Sequence, residues 1–446
     1  MEGLYNWAWV TRQVTQTTDA WDACTRQVAL PGPRFTPQEQ QKHEIAYNEG
    51  LRAVEQEAKR SPRTRAERLR AQRRIVGVFP GFASIALGLD DDAIQLLTND
   101  FIPVGTNVAR WASRFDPTLS MPDIIQACRN AWTACGMQPL LGDRLRITPS
   151  ILGYSLLYPY SDNHMDHPLV STEDKLHFSD RFRRRLSGLP VLPANHHEAA
   201  VWAMVELIEL EYPRAQYPQV YAGLLPIHRA QEESIAQLHG CSSISDHELL
   251  RLSCAKGGAS VLADACLSHG SLTAEESHFA FDWGVLLQLG DDLQDLHDDL
   301  KNGSRTLFTR AAAAGTPLDN LVLQLLVFSD RVAAQMDNLP NGDSFLKHLL
   351  RMSWRSLIYM AVANAPEYFT PEFLTKVESC SQFRFRFLRA KRKRFSGRRG
   401  LYSTIFDAFI QAGDVDSSAL PVPERWKERC VESTVEAVAK TTGTWG

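Results

Sequence analysis

Residues 281–306 read FDWGVLLQLGDDLQDLHDDLKNGSRT, and taking this stretch as a helix organises the rest of the chain. At ~100° per residue, Leu286, Leu289, Leu293, Leu296 and Leu300 fall on one stripe. With Asp291 at the origin, Asp292, Asp295, Asp298 and Asp299 lie in a sector of ~120° roughly opposite that stripe. Like charges one turn apart repel, so a cluster this dense needs something to offset it. A solvated amphipathic face is the ordinary meaning of such a pattern. The turns upstream argue for another, because Ala280, Phe281, Gly284, Leu287 and Gln288 share the acidic face. A face acidic at one end and mostly apolar at the other suits a helix lining a cavity with a charged mouth and an oily depth.

A second stretch has the same design. Residues 151–168 read ILGYSLLYPYSDNHMDHP. Asp162 and Asp166 are four apart and share a helix face, which continues upstream through Tyr158, Ser155 or Tyr154, and Ile151. Pro159 predicts a kink one turn before the acids. His167, preceding Pro168, predicts the helix end. Two helices with carboxylates at one end of an apolar face fit a hydrophobic pocket rimmed by divalent metal. Mg2+ takes hard oxygen ligands and commonly bridges carboxylates to substrate phosphates.

QLGDDLQD followed by KNGSRT resembles the second aspartate-rich motif of the class I isoprenoid synthases, and DNHMD stands where their first motif would. KGGAS, from Lys256 to Ser260, resembles the lysine-containing segment of the trans-prenyltransferases, and AQEES, from Ala230 to Ser234, is placed like the helix before it. The order fits over roughly residues 100–365. The resemblance implies an all-α helical bundle around a central apolar cavity, with helical extensions at both ends. It implies a Mg2+-dependent enzyme, with three ions, that ionises an allylic prenyl diphosphate. Asp162, Asp166, Asp291 and Asp295 become the catalytic candidates, and Asp292 and Asp299 join them as metal candidates. Lys256, Lys301, Arg305 and Gln288 are candidates to hold the diphosphate. Tyr154, Tyr158, Phe281, Gly284 and Leu287 are candidates for the cavity wall, where aromatic faces steady a carbocation. For Lys301 and Arg305, ordinary salt bridges to the aspartates are an equal reading.

The branch follows from what is missing. Chain-elongating enzymes need a second, basic diphosphate site. GDRLR at 142–146 is too close to Asp162 for that, and the arginines at 183–185 are too far downstream. A terpene synthase, with one diphosphate substrate, asks least of those residues. A prenyltransferase, head-to-head or chain-elongating, is the alternative, and a non-catalytic prenyl-binding protein is the alternative from another class. Within the second motif, Asp291 with Asp295 and Asp295 with Asp299 are rival registers, and the first follows the prenyltransferase pattern more closely.

Composition bounds the rest. The 446 residues are 44% hydrophobic and 22% charged with a net charge of −4, ordinary for a globular chain and without a general pull toward nucleic acid. The N-terminus MEGLYNWAWV lacks the basic flank and apolar run of a signal peptide, and no run of ~18 apolar residues suggests a spanning helix. None of the eight cysteines forms a CxxC pair, so zinc is not expected. They read as reduced and packed in a cytoplasmic protein. Three regions are expected: a helical extension over 1–90, the bundle over 91–365, and a basic helical segment and tail over 366–446. Asp90-Asp91-Asp92 cannot all face one site, so a capping role is the better reading. Residues 59–74, with seven arginines and a lysine, read as a solvated face or as a peripheral contact with an anionic membrane surface. FRFRFLRAKRKRFSGRR, residues 383–399, reads as a helix or ordered tail, with no nucleic-acid role assigned. A homodimer is a further expectation. In Gly257-Gly258, two readings stand level: a helix break exposing N–H groups to a phosphate, or close packing between helices. Met352, Trp354 and Tyr359 read as core.

Overall fold

Side-chain caps open most of the helices. The computed structural model describes residues 5–24, 30, 32–60, 62–167, 169–239, 244–411 and 413. Asn6, Thr36 and Thr64 cap α1 (Trp7–Asp22), α2 (Pro37–Lys59) and α3 (Arg65–Leu87), and Asp90 caps α4 (Asp91–Leu96). A π-helical turn then leads into α5 (Ile102–Phe115), followed by α6 (Met121–Leu140) and α7 (Pro149–Leu157). A second π-helical turn (Tyr158–Asp162) runs into the single turn α8 (Asn163–Asp166). The middle of the chain supplies α9 (Thr172–Leu186), α10 (His196–Glu211), α11 (Pro218–His239), α12 (Asp246–His269) and α13 (Ala274–Gln294). Two short helices follow, α14 (Leu296–Asn302) and α15 (Leu307–Ala313). The chain continues through α16 (Asp319–Asn338), α17 (Ser344–Asn364), α18 (Pro371–Glu378), α19 (Phe385–Ser396) and α20 (Arg399–Gln411). The protein is all-α, with no strand among the described residues. The alternating Phe and Arg of residues 383–388 run into α19 rather than a strand. The tail of the expected C-terminal region, from residue 414 on, lies outside the described residues.

α12 is the hub. It is apolar nearly all round, as a helix covered on both sides must be, and it separates two cores. Leu250, Cys254 and Val261 pack with α1, α13, α16 and α17, whereas Ala263 and Leu267 join the core built from α5, α6, α7, α10 and α11. α13 lies along α12, with Leu286, Leu289 and Leu293 buried. Each such side chain contributes roughly 1.5–3 kcal/mol of burial.

The two helices approach so closely because of glycine. A Cβ on Gly284 would fall 2.1 Å from the Gly257 carbonyl oxygen, and one on Gly258 would fall 2.4 Å from the Phe281 ring. α12 runs unbroken through Gly257-Gly258. Packing, not a phosphate-binding break, is therefore what these glycines serve.

The terminal segments tie into the bundle. The Thr17 hydroxyl donates to Asp282 at 2.6 Å, and α1 packs on α12 and α13. Much of the charge in the basic run is spent internally. Arg384 forks onto the buried Glu44, while Arg394, Arg398 and Tyr402 converge on the buried Glu55 of α2. A buried carboxylate stripped of such a partner costs several kcal/mol. Arg60 and Arg74 pair in the same way with Glu57. Cys24, Cys128, Cys135, Cys254, Cys266 and Cys380 are free thiols and buried. Cys241 and Cys430 lie outside the described residues. No helix among the described residues is long and apolar enough to cross a membrane.

Candidate functional site

A pocket of about 490 Å3 opens between α6, the Tyr158–Asp162 turn, α11, α12, α13 and α17. Asp162 enters it from the π turn, Gln231 from α11, Lys256 from α12, Gln288 and Asp291 from α13, and Arg129 from α6. Ile227, Val261, Leu287, Trp354 and Leu357 supply apolar wall, with the backbone of Gly257 and Gly284 between them.

Asp162 owes its position to Pro159. Proline has no N–H to donate to the preceding turn, and the helix widens here into a π turn, a distortion that often marks functional sites. The Gln231 amide and the Ser161 hydroxyl both donate to Asp162 Oδ1. Tyr158 shares a hydrogen bond with the Ser260 hydroxyl and lines the pocket. Tyr154 lies against it edge-on, with ring centroids 5.7 Å apart, in a small adjoining space that also holds His228. Burial holds both tyrosines protonated, with their pKa values pushed upward. Burial also depresses His228, to about 3. The Asp166 side chain lies outside the described residues.

The aspartates of the second stretch point in different directions. α13 stops at Gln294, and Asp295 (φ −92°, ψ 8°) joins it to α14, so the single long helix read from the sequence is two. Asp291 is half-exposed in the pocket and ion-paired with Arg129 at 3.0 Å. Asp292 turns inward, 7% exposed, and accepts from Ser253 Oγ and Gln288 Nε2, each at 2.8 Å. Asp295 faces away, into a second pocket bounded by the opposite face of α17. Burial, reinforced by neighbouring carboxylates, raises Asp295, and brings Asp299 up to about 6. Burial lifts Asp291 and, with a smaller push from the Asp299 carboxylate, takes Asp292 up to about 6, against opposing pulls from Arg129 on the first, Gln288 and Ser253 on the second, and Lys256 on both.

Other sequence candidates fall elsewhere. Phe281, expected in the cavity wall, is fully buried between Trp9 and Gly258 in the core, because the close approach of α12 leaves its ring no path to the pocket. Lys301 is exposed at the end of α14, and Arg305 lies on the loop after it; neither lines the pocket.

Several lining residues escaped the sequence reading, four of them polar or aromatic groups that matter to the chemistry. Arg129 and Asn130 sit on α6, whose apolar stripe marks an ordinary amphipathic helix and carries no acidic cluster to single these two residues out. Trp354, read as core, is buried beside Trp283 yet also lines the pocket. Asp264 lies on the floor, 2% exposed, and accepts from Asn130 Nδ2 at 3.1 Å. Burial raises its pKa far above the usual carboxylate range. Its signal was present: ASVLADACL places one carboxylate in the middle of an apolar helix.

Among the described residues, no three His, Cys, Asp or Glu side chains converge on a ready-made metal site. Asp162, Asp264 and Asp291 bring hard oxygens to the pocket, Asp264 from its buried floor and the other two from different helical segments. That chemistry suits a cation completed by a ligand's own phosphate oxygens. Carboxylates whose charge is penalised by burial also gain most from a nearby cation. No known family matches the chain in a comparison with family-wide sequence patterns, and no curated protein matches it.

Proposed function

We propose that this protein is a class I isoprenoid synthase-like enzyme: a terpene synthase that ionises an allylic prenyl diphosphate, releases diphosphate, and cyclises or rearranges the cation. One observation carries the reading. Asp162 and Asp291, far apart in the chain, line one pocket together with Lys256 and Arg129, above apolar and aromatic wall.

In this reading Asp162 on one side of the pocket and Asp291 on the other would hold Mg2+. When bound, Mg2+ supplies charge neutralisation that makes diphosphate a better leaving group. Lys256 and Arg129 bind and orient the diphosphate oxygens, and Gln231 fixes Asp162 for its role. The allylic C–O bond breaks and its electron pair leaves on the diphosphate oxygen. Trp354 and Tyr158 offer ring faces to the carbocation. Leu287, Val261 and Leu357 keep water from quenching it. Transfer of a proton from a neighbouring carbon to the departed diphosphate leaves its C–H electron pair as a double bond and restores a neutral hydrocarbon.

The test is diphosphate release from allylic prenyl diphosphates of two to five isoprene units, with and without Mg2+. Metal-dependent release with a rearranged or cyclic product is expected. Coupling of two prenyl chains would move the reading to a prenyltransferase. Binding without turnover of any substrate would leave a prenyl-binding protein and overturn the enzyme.

A further inference from the structure

The larger of the two pockets along α17 is not the one described above. A cavity of about 690 Å3 lies between α2, the end of α13, α17 and α19. Arg351, Arg355, Lys391 and Arg392 line it, with Asp295 as its one lining carboxylate; Arg351 is already ion-paired with Asp337 at 2.7 Å, which leaves Arg355, Lys391 and Arg392 as the cations that matter. Arg355 binds Asp330 through Nη2 at 2.6 Å, but its Nε–H is buried without a partner. A buried donor left unpaired costs about 1–3 kcal/mol, so its presence at a cavity wall points to an acceptor supplied from outside. Lys391 is held by the neutral amide of Asn48 and lies over the rings of Tyr47 and Phe387, at 5.7 and 4.8 Å. Burial and the charge of Arg394 depress its pKa, a penalty that an anion would relieve.

Tyr47 also lines a neighbouring slot of about 300 Å3. The slot's other walls are apolar: Leu51, Val54, Val76, Phe79 and Phe82, with Phe409 closing it from α20. A cationic chamber and a hydrocarbon slot thus meet at one aromatic side chain. That is the layout required by a molecule with one charged end and one greasy chain, because each part alone leaves half of the space unmatched.

We propose that the chamber and slot form a second binding site, for a single-chain phosphate amphiphile such as an alkyl or prenyl monophosphate. The phosphate lies against Arg355 and Lys391, and the chain passes Tyr47 into the slot. This site is separate from the Asp162–Asp291 pocket and stands whether or not that pocket is catalytic.

The experiment is calorimetric titration of the full chain with dodecyl phosphate below its micellar concentration, in metal-free buffer. Saturable one-to-one binding is expected, with inorganic phosphate and dodecanol each much weaker. Lys391→Met and Val76→Phe should each lower the dodecyl phosphate affinity about tenfold, and only Lys391→Met should weaken inorganic phosphate. Asp162→Ala should leave the binding unchanged. If a thermal melt shows either variant misfolded, Arg355→Lys serves instead, since it keeps a cation beside Asp330 and removes the Nε–H. No saturable binding, affinity unchanged in the variants, or loss of binding in Asp162→Ala would overturn the proposal. So would binding to phosphatidylglycerol vesicles in place of monomeric dodecyl phosphate, which would mean a membrane surface.

Discussion

The two acidic walls of the pocket look alike in sequence and are built differently. On the first wall a proline-driven π turn presents one carboxylate, Asp162, fixed by Gln231 and Ser161. On the second, four neighbouring aspartates scatter: Asp291 into the pocket, Asp292 into the core, Asp295 toward the other cavity, and Asp299 onto α14. The difference shows what backbone geometry does to a pattern. A regular helix keeps its residues on the faces that periodicity assigns. A turn that widens or pauses reassigns every side chain beyond it.

The sharpest way to break this contrast is to remove the carboxylates singly. Asp162→Ala and Asp291→Ala should each lower Mg2+-dependent diphosphate release by about 100- to 1000-fold, ~3–4 kcal/mol of barrier. Asp295→Ala should cost about tenfold or less, because its side chain faces the second pocket. Equal losses at all three positions, in a steady-state release assay, would erase the distinction drawn between them.

A smaller effect tests what lies between the walls. Gly284→Ala sets a methyl group against the Gly257 carbonyl, an obstacle of backbone that a rotamer change cannot clear. It should destabilise the fold by about 3 kcal/mol, the upper end for overpacking. Chemical denaturation measures it, and unchanged stability would return these glycines to a phosphate-binding role.

The walls should also respond to acid with opposite signs. Asp292 is raised to about 6 when folded, so the native state takes up its proton before the unfolded chain does. Stability should therefore rise as pH falls from about 6 to about 4. His228, beside the first wall, is depressed to about 3, so the unfolded chain takes the proton first. Its contribution should be lost as pH falls from about 6.5 toward 3. At 1.36 kcal/mol per unit these shifts amount to at most about 3 kcal/mol for Asp292 and about 5 kcal/mol for His228. In metal-free melts across this range, Asp292→Asn should steepen the acid loss and His228→Leu should flatten it. No change of slope in either variant would contradict the burial assigned to them.

How much of this could be read from the sequence depends on regularity. The all-α class follows from helical periodicity and caps, and Asp90 caps a helix where the Asp90-Asp91-Asp92 run suggests. Gly284, Leu287, Gln288 and Asp291 lie on one uninterrupted stretch of α13, and periodicity grouped them correctly on the pocket face. It placed Phe281 there as well, because a helical wheel has no term for the neighbour that covers it. Beyond Asp295 the wheel fails, since one residue with ψ near zero ends the helix. Arg129, Asn130 and Trp354 reach the pocket only through tertiary packing, and nothing in their own spacing announces it.

The most direct measurement is a crystal structure grown with Mn2+ and inorganic diphosphate, with metal sites located by anomalous scattering. Metal is expected between the two walls, touching Asp162 and Asp291, with diphosphate against Lys256 and Arg129. Metal bound at Asp299 while Asp291 points away, or diphosphate bound outside this pocket, would contradict it.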